Sequence, residues 1–106
     1  MEFTEYLVQQ VWERARATTE QDRDIWRRDQ CGAWMRREHY GRTDSEFGWR
    51  IENITAGGPN DLENLHAFNC ANPYDRAARR AHCHLVADLS GVPAPEIILE
   101  PRNRKA

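Results

Sequence analysis

The spacing of apolar residues divides the chain into one helical segment and a later region of short strands. Between Glu2 and Arg16 the apolar residues recur every three or four positions, which predicts an amphipathic helix. From Trp49 to Thr55 apolar and polar residues alternate instead, and Asn53 falls on the side that carries Trp49 and Ile51. This period of two predicts a strand with one buried face.

Turn-forming residues separate the remaining predicted elements. The loop Ala56-Gly57-Gly58-Pro59-Asn60 reverses the chain, so that Asn64 to Phe68 returns as the second strand of a hairpin. A helix is then predicted from about Asn72 to Asp88, ending before Gly91. Three shorter features are a helical turn at Glu20 to Arg28, an extended segment at Ala33 to Arg37, and an apolar run, Ile97-Ile98-Leu99, that docks as an edge strand or covers a partner.

The length of 106 residues predicts a single domain with one modest core. We expect an N-terminal helix in residues 1–20, the core in 22–90 and a tail in 91–106. The sequence contains no run of about 18 apolar residues, the length that is needed to cross a membrane. Its acidic N-terminal segment does not match a signal peptide. We therefore expect a cytoplasmic protein.

The net charge of −2 is low for a dedicated duplex-DNA binder, although it leaves room for a local basic surface. Fourteen of the fifteen basic residues are arginine. The guanidinium group of arginine forms bidentate hydrogen bonds to phosphates and stacks on aromatic rings.

The three cysteines, Cys31, Cys70 and Cys83, lack the paired spacing of a disulfide framework. Their odd number predicts buried free thiols. A zinc site built from Cys31, Cys70 and His82-Cys83-His84 is the alternative, but adjacent residues of a predicted helix point in different directions. We expect no metal and no other cofactor.

The segment from Trp49 to Asn72, WRIENITAGGPNDLENLHAFNCAN, resembles the core of the HNH (ββα-metal) endonucleases. The upstream segment DQCGAWMRREHYGRTDSEFGW is similar to the GAW, YG and GW lead of small HNH proteins common in phages and prophages. The two segments together cover roughly residues 22–80. The resemblance implies an α+β fold with an HNH-like ββα core, a hairpin plus a helix, to which an N-terminal helix and short extended segments are added.

The resemblance also implies that the catalytic positions of the family are changed here. The family's Asp-His pair falls on Glu52 and Asn53, so that an amide stands where a histidine would act as general base. An amide cannot accept a proton near neutral pH, and losing a general base costs a factor of about 100 to 10,000 in rate. We expect a vestigial site without activity, formed by Glu52, Asn53, Asn64, Asn69 and Asn72. His39 and His66 are alternative bases.

The binding surface of the fold is expected to persist. The predicted helix places Arg76, Arg79 and Arg80 on one basic face. An exposed ring beside an arginine can stack an unpaired base, which is worth about 1–3 kcal/mol per base, whereas the tryptophans of the GAW and GW motifs are packing residues in the family. The residues expected to contact nucleic acid are Arg36, Arg37, Arg42, Arg50, Arg76, Arg79, Arg80, Tyr40 and Tyr74.

These expectations describe a catalytically inactive HNH-like module that binds nucleic acid, with single-stranded DNA favoured over duplex. The resemblance implies a phage product that acts in a bacterial host cell. From the lost base, the low net charge and the mixture of arginines and aromatic residues, we expect it to inhibit a DNA-targeting defence system, as an anti-CRISPR protein directed at a host CRISPR effector complex. One alternative is a protein-binding inhibitor that docks through an acidic N-terminal helix carrying Glu2, Glu5, Glu13 and Glu20. The others are an active metal-dependent HNH endonuclease with a rearranged site and an accessory protein that keeps the scaffold alone.

Overall fold

The computed structural model describes residues 3–55, 57–90 and 100–106, which form one α-helix and eight short strands. These are α1 (Glu5–Glu13), β1 (Trp26–Arg28), β2 (Trp34–Arg36), β3 (Trp49–Asn53), β4 (Leu65–Asn69), β5 (Tyr74–Asp75), β6 (Arg80–Ala81), β7 (Leu85–Ala87) and β8 (Asn103–Lys105). The strands pair antiparallel as β1–β2, β3–β4, β5–β6 and β7–β8. The architecture is α+β, as predicted. No helix in the described part of the chain is long and apolar enough to cross a membrane.

Helix α1 confirms the first predicted element. Thr4 caps it, because its hydroxyl accepts a hydrogen bond from the backbone N–H of Leu7 at 3.1 Å. The helix ends at Glu13, earlier than predicted, because the following residues turn so that Arg16 can form a β-bridge with Arg28. The segment from Glu20 to Arg28, predicted to make a helical turn, contains one such turn, in which the backbone N–H of Trp26 donates to the carbonyl oxygen of Asp22 at 2.8 Å, and then continues as β1.

The hairpin of β3 and β4 also forms as predicted, and it provides the centre of the core. Trp49 pairs with Asn69 and Asn53 with Leu65, which places Trp49 and Ile51 on one sheet face. This face packs against α1, where the rings of Trp12 and Trp49 have centroids 5.2 Å apart. Period-two alternation therefore predicted the buried face correctly. The packing role expected for the GAW and GW tryptophans is confirmed, because Trp34 and Trp49 are both buried.

The helix predicted from Asn72 to Asp88 is wrong. The segment forms β5, β6 and β7, and β7 pairs with the distant strand β8. A helix here would separate groups that the fold joins: the Asn72 side chain binds the backbone of His84 and Leu85, 12 and 13 residues onward. These tertiary contacts outweigh the local preference for a helix that the spacing of the residues indicated. The described residues thus contain the hairpin of the expected ββα core without its helix, and Gly91 and Ile97-Ile98-Leu99 lie outside them.

The prediction of free thiols is wrong for two of the three cysteines. Cys31 and Cys83 form a disulfide with their Cα atoms 5.5 Å apart, which links the turn after β1 to the segment before β7. The sequence did not predict this pair, because the number of cysteines is odd and the two partners are 52 positions apart. The fold brings them together. Cys70 remains a free, half-buried thiol, and burial raises its pKa.

Replacing Cys31 and Cys83 together by serine should destabilise the domain. A cross-link that closes a loop of this size is worth about 4 kcal/mol through the entropy of the unfolded chain. Urea unfolding with and without a thiol reductant measures the effect: reduced wild type should match the double variant. Cys70→Ser is the control, and it should keep the response of the wild type to reductant. Equal unfolding midpoints for oxidised and reduced wild type would contradict a structural disulfide.

Candidate functional site

Asn53, which the resemblance in sequence aligns with the general base of the HNH family, closes the loop between β3 and β4. Its amide nitrogen lies 3.1 Å from the carbonyl oxygen of Gly58, 2.9 Å from that of Pro59 and 3.1 Å from Oδ1 of Asn60. Its own Oδ1 accepts a hydrogen bond from the backbone N–H of Thr55 at 2.9 Å. An amide donates and accepts at once, so the Asn53 side chain serves here as a loop staple.

Asn64 supports the same loop from the other side. Its amide nitrogen donates to the carbonyl oxygen of Pro59 at 3.0 Å, and its Oδ1 accepts from the hydroxyl of Thr55 at 3.0 Å. Both carboxamides therefore converge on Thr55 and Pro59. Gly57, with φ of +71°, takes the left-handed conformation that this chain reversal requires.

Asn69 and Asn72 belong to a second cluster, which is centred on the buried carboxylate of Asp29. Oδ1 of Asp29 accepts from the backbone N–H groups of Cys31 and Ala33 at 3.0 and 2.9 Å. Oδ2 accepts from the backbone N–H of Asn69 and from the side-chain amide of Asn72, both at 3.0 Å. All four lone-pair directions of a carboxylate that is 2% exposed are thus used.

The two amides of this cluster extend the network to other strands. The Asn69 amide nitrogen donates to the carbonyl oxygens of Trp34 and Glu46 at 3.1 and 2.8 Å. The Asn72 amide nitrogen also donates to the carbonyl oxygen of Leu85 at 2.9 Å. Because Asn69 and Asn72 are 1% and 0% exposed, neither carboxamide is accessible to a ligand.

Glu52, the carboxylate of the vestigial site, is paired with Arg50 of the same strand. Nε of Arg50 donates to Oε1 of Glu52 at 2.8 Å, and both side chains are partly buried. The two terminal nitrogens of Arg50 donate to the carbonyl oxygens of Asn69 and Asn72 at 2.9 and 3.0 Å. Arg50 therefore joins Glu52 to the Asp29 cluster, and the guanidinium that was expected to contact nucleic acid is engaged within the fold.

The two alternative bases, His39 and His66, lie in different parts of the fold. His39 shares a hydrogen bond of 2.7 Å between its Nδ1 and the Ser45 hydroxyl, and burial lowers its pKa. His66 faces Glu52 across the hairpin, and burial together with the charge of Arg14 lowers its pKa. Within residues 3–55, 57–90 and 100–106, no three His, Cys, Asp or Glu side chains are grouped so that they could hold a metal ion.

Arg76, Arg79 and Arg80 are brought together by a β-hairpin rather than by a helix face. Strands β5 and β6 pair Asp75 with Arg80, so the turn 76–79 carries two of the three arginines at its tip. All three side chains are exposed, and no carboxylate within the described residues forms an ion pair with them. We call Tyr74–Ala81 the basic hairpin.

Asp75 stabilises the turn of the basic hairpin. Its Oδ1 accepts from the backbone N–H of Ala78 at 3.0 Å, and its other oxygen lies 3.7 Å from Nε2 of His82. These contacts, the first above all, lower the pKa of the Asp75 carboxyl. Arg79 adopts a positive φ of 55°, which completes the chain reversal.

The other predicted contact residues are largely occupied by neighbouring groups. Arg36 pairs with Glu38, Arg37 with Glu5, and Arg42 with Asp44. The two predicted stacking rings are half-buried rather than exposed: Tyr40 packs on Trp49 with centroids 4.8 Å apart, and Tyr74 on Phe68 at 5.3 Å. Both rings therefore take part in packing within the fold.

Sequence reasoning missed the basic strand β8. Arg102, Arg104 and Lys105 are exposed, and β8 pairs with β7, which follows the basic hairpin. A charge count gives a signal for this: residues 1–70 contain thirteen acidic and nine basic residues, and residues 71–106 contain four and six. The basic charge is thus concentrated in the part of the chain that follows the vestigial site.

Asn53→Ala should destabilise the domain by about 1–3 kcal/mol, because the substitution removes the loop staple and leaves its backbone partners without it. Asn60→Ala is the matched control, since it removes one of those hydrogen bonds from an exposed side chain; its effect should be within about 0.5 kcal/mol. Urea unfolding followed by tryptophan fluorescence measures both. Equal midpoints for the two variants would contradict a structural role for Asn53.

No family model, no curated protein and no solved structure matches this chain.

Proposed function

We propose that this chain is a non-catalytic domain of HNH-like origin that binds nucleic acid through the basic hairpin and β8. The observation that carries the proposal is a contrast between polar side chains that are bonded within the fold and arginine side chains that are exposed. Asn53, Asn64 and Glu52 make contacts within the fold, whereas Arg76, Arg79 and Arg80 project from a hairpin without carboxylate partners among the described residues. Unpaired guanidinium groups on a projecting turn suit a polyanion.

The HNH-like origin rests on the quoted sequence motifs and on the β3–β4 hairpin that carries them. In this proposal the family's helix has been replaced by β5, β6 and β7. The replacement keeps Arg76 next to the vestigial site in sequence but places it on a turn. Loss of the general base and retention of a basic element then make the domain a binder rather than a hydrolase.

Single-stranded nucleic acid is the favoured ligand. The net charge of −2 gives little long-range attraction for a duplex, whose binding depends on neutralising many phosphates. A strand with unpaired bases can gain additional free energy from stacking on rings. A domain with one concentrated basic region is better suited to a short flexible strand than to a rigid double helix.

In its proposed biological role, the protein is encoded by a phage and inhibits a DNA-targeting defence complex of the host, as anti-CRISPR proteins do. A domain that occupies a strand without cutting it denies that strand to a nuclease. This part of the proposal rests on the resemblance in sequence to small phage HNH proteins.

A protein-binding inhibitor is the second candidate, and the charge distribution supports it. Residues 1–70 carry the acidic excess, and Tyr6 on α1 is 75% exposed. Glu5 is less available than the sequence suggested, because it pairs with Arg37. Glu13 and Glu20 remain exposed and could face a basic groove on an effector.

Changing Arg76, Arg79 and Arg80 together to alanine should weaken single-strand binding. The loss of three phosphate contacts should reduce the slope of log affinity against log salt concentration by about two. Fluorescence anisotropy with a labelled oligonucleotide over a salt series measures this slope.

The matched control is Arg14→Ala, Arg16→Ala and Arg23→Ala combined, which removes the same charge from exposed side chains in the acidic part of the chain. The control should keep the slope of the wild type. Equal slopes for the two triple variants would contradict the assignment to the basic hairpin. If the wild type retards neither single-stranded nor duplex DNA, the protein-binding candidate takes its place.

The wild type should not nick supercoiled plasmid above the buffer background when Mg²⁺ or Mn²⁺ is supplied, because no general base stands at Asn53. Glu52→Ala is the informative control, since a contaminating nuclease would be unaffected by it. Metal-dependent nicking that disappears in Glu52→Ala would establish an active nuclease with a rearranged site and overturn the non-catalytic proposal.

A further inference from the structure

An open groove of about 470 Å³ lies beside β1 and β2, away from the vestigial site. Its volume is within the range of small-molecule sites. The groove is lined by Gln21, Trp26, Arg36, Glu46, Phe47, Glu100, Pro101 and Arg102. None of the vestigial residues lines the groove. Of the residues that the sequence predicted to contact nucleic acid, Arg36 alone lines it.

Two half-buried aromatic rings form the apolar part of the groove. The rings of Trp26 and Phe47 have centroids 4.9 Å apart and an interplanar angle of 84°, so one ring stands on edge against the other. The guanidinium carbon of Arg36 lies 5.3 Å from the centre of the Trp26 ring. The Arg36 guanidinium thus lies over the Trp26 ring, so the groove is lined by planar groups of two kinds, aromatic rings and a guanidinium, and both kinds of plane stack nucleobases.

The fold fixes the groove through Asn103. Oδ1 of Asn103 accepts from the backbone N–H of Trp34 at 2.8 Å, and its amide nitrogen donates to the carbonyl oxygens of Trp34 and Glu46 at 3.1 and 2.9 Å. These bonds hold β8 against β2 and so bring the exposed Arg102 to the rim beside the rings. The groove is therefore a product of tertiary contacts between residues 69 positions apart.

The polar rim carries both signs of charge. Arg102 supplies a cation that forms no ion pair within the described residues, which suits a phosphate. Glu46 and Glu100 supply exposed carboxylates, which accept hydrogen bonds from exocyclic amino groups. Oε2 of Glu46 also accepts from the backbone N–H of Asn103 at 3.2 Å, which positions this carboxylate at the groove. A ligand that combines a flat ring, an amino group and a phosphate matches all three features.

We infer that this groove takes one unpaired, amino-bearing base of a single-stranded nucleic acid, with the base against Trp26 and Phe47 and its phosphate at Arg102. The inference rests on the proposed nucleic-acid binding and adds the site that distinguishes single strands from duplex. A base within a duplex cannot enter the groove, since both of its faces are stacked and its edge is paired. Cytosine is favoured over thymine, which lacks the amino group.

Phe47→Leu tests the groove, because it keeps an apolar side chain and removes the ring. Anisotropy titrations at low salt compare labelled oligo-dC, oligo-dT and a duplex of the same length. Loss of one stacked base should weaken oligo-dC binding by about five- to a hundredfold and leave duplex binding unchanged. Tyr6→Leu is the matched control, since it removes an exposed ring on α1 and should leave all three affinities as in the wild type.

Arg102→Ala provides a second variant that does not depend on the aromatic packing. It should weaken oligo-dC binding and preserve the thermal unfolding midpoint, because the side chain is exposed. If oligo-dC binding survives in both variants at the affinity of the wild type, the groove assignment is overturned while the proposed function stands. Equal affinity of the wild type for oligo-dC and oligo-dT overturns the role of the carboxylates, and binding of no DNA at all overturns both proposals.

Discussion

The rest of the structure depends on the hydrogen bonds that the buried carboxylate of Asp29 accepts. A charged group with 2% exposure is tolerated only when hydrogen bonds replace its water. Four donors do so here: two come from the turn after β1, one from the backbone of Asn69 and one from the side chain of Asn72. The end of β4 and the segment before β5 are therefore tied to the turn that also holds Cys31. Removal of any one of these donors would leave a buried carboxylate oxygen with one hydrogen bond instead of two, which costs free energy in a low-dielectric core.

This arrangement gives a physical reason why, in the proposal made above, a motif that resembles that of nucleases persists without nuclease chemistry. Carboxamides are neutral, and each can donate and accept in the same place, so they fit closed networks that a titrating histidine would disturb. Asn53 and Asn64 hold the loop between β3 and β4, and Asn69 and Asn72 complete the Asp29 cluster. The motif residues thus contribute to folding. Contact with a ligand passes, in the proposal made above, to exposed arginines on the basic hairpin and to the groove beside β1.

Local patterns predicted the elements whose contacts are local. Helix α1 and the β3–β4 hairpin follow from apolar periodicity and from a Gly-rich loop, and burial of Trp49 follows from its place in the alternation. The helix from Asn72 to Asp88 was wrong because the decisive contacts are distant: Asn72 with Leu85, Cys31 with Cys83, and β7 with β8. Arg76, Arg79 and Arg80 do lie together, but a turn rather than a helix face unites them. Asp29 was overlooked, although an acidic residue two positions before Cys31-Gly32 is typical of a side-chain-stabilised turn.

Amide chemical-shift mapping would test the central claim, that the ligand surface is separate from the vestigial site, most directly. Uniformly ¹⁵N-labelled protein would be titrated with a short single-stranded oligonucleotide and followed by two-dimensional NMR. The account predicts that the largest shifts fall on Tyr74–Ala81, on Arg102–Lys105 and beside Phe47, and that Asn53 and Thr55 keep their positions. Shifts centred on the loop between β3 and β4, with the basic hairpin unchanged, would contradict it.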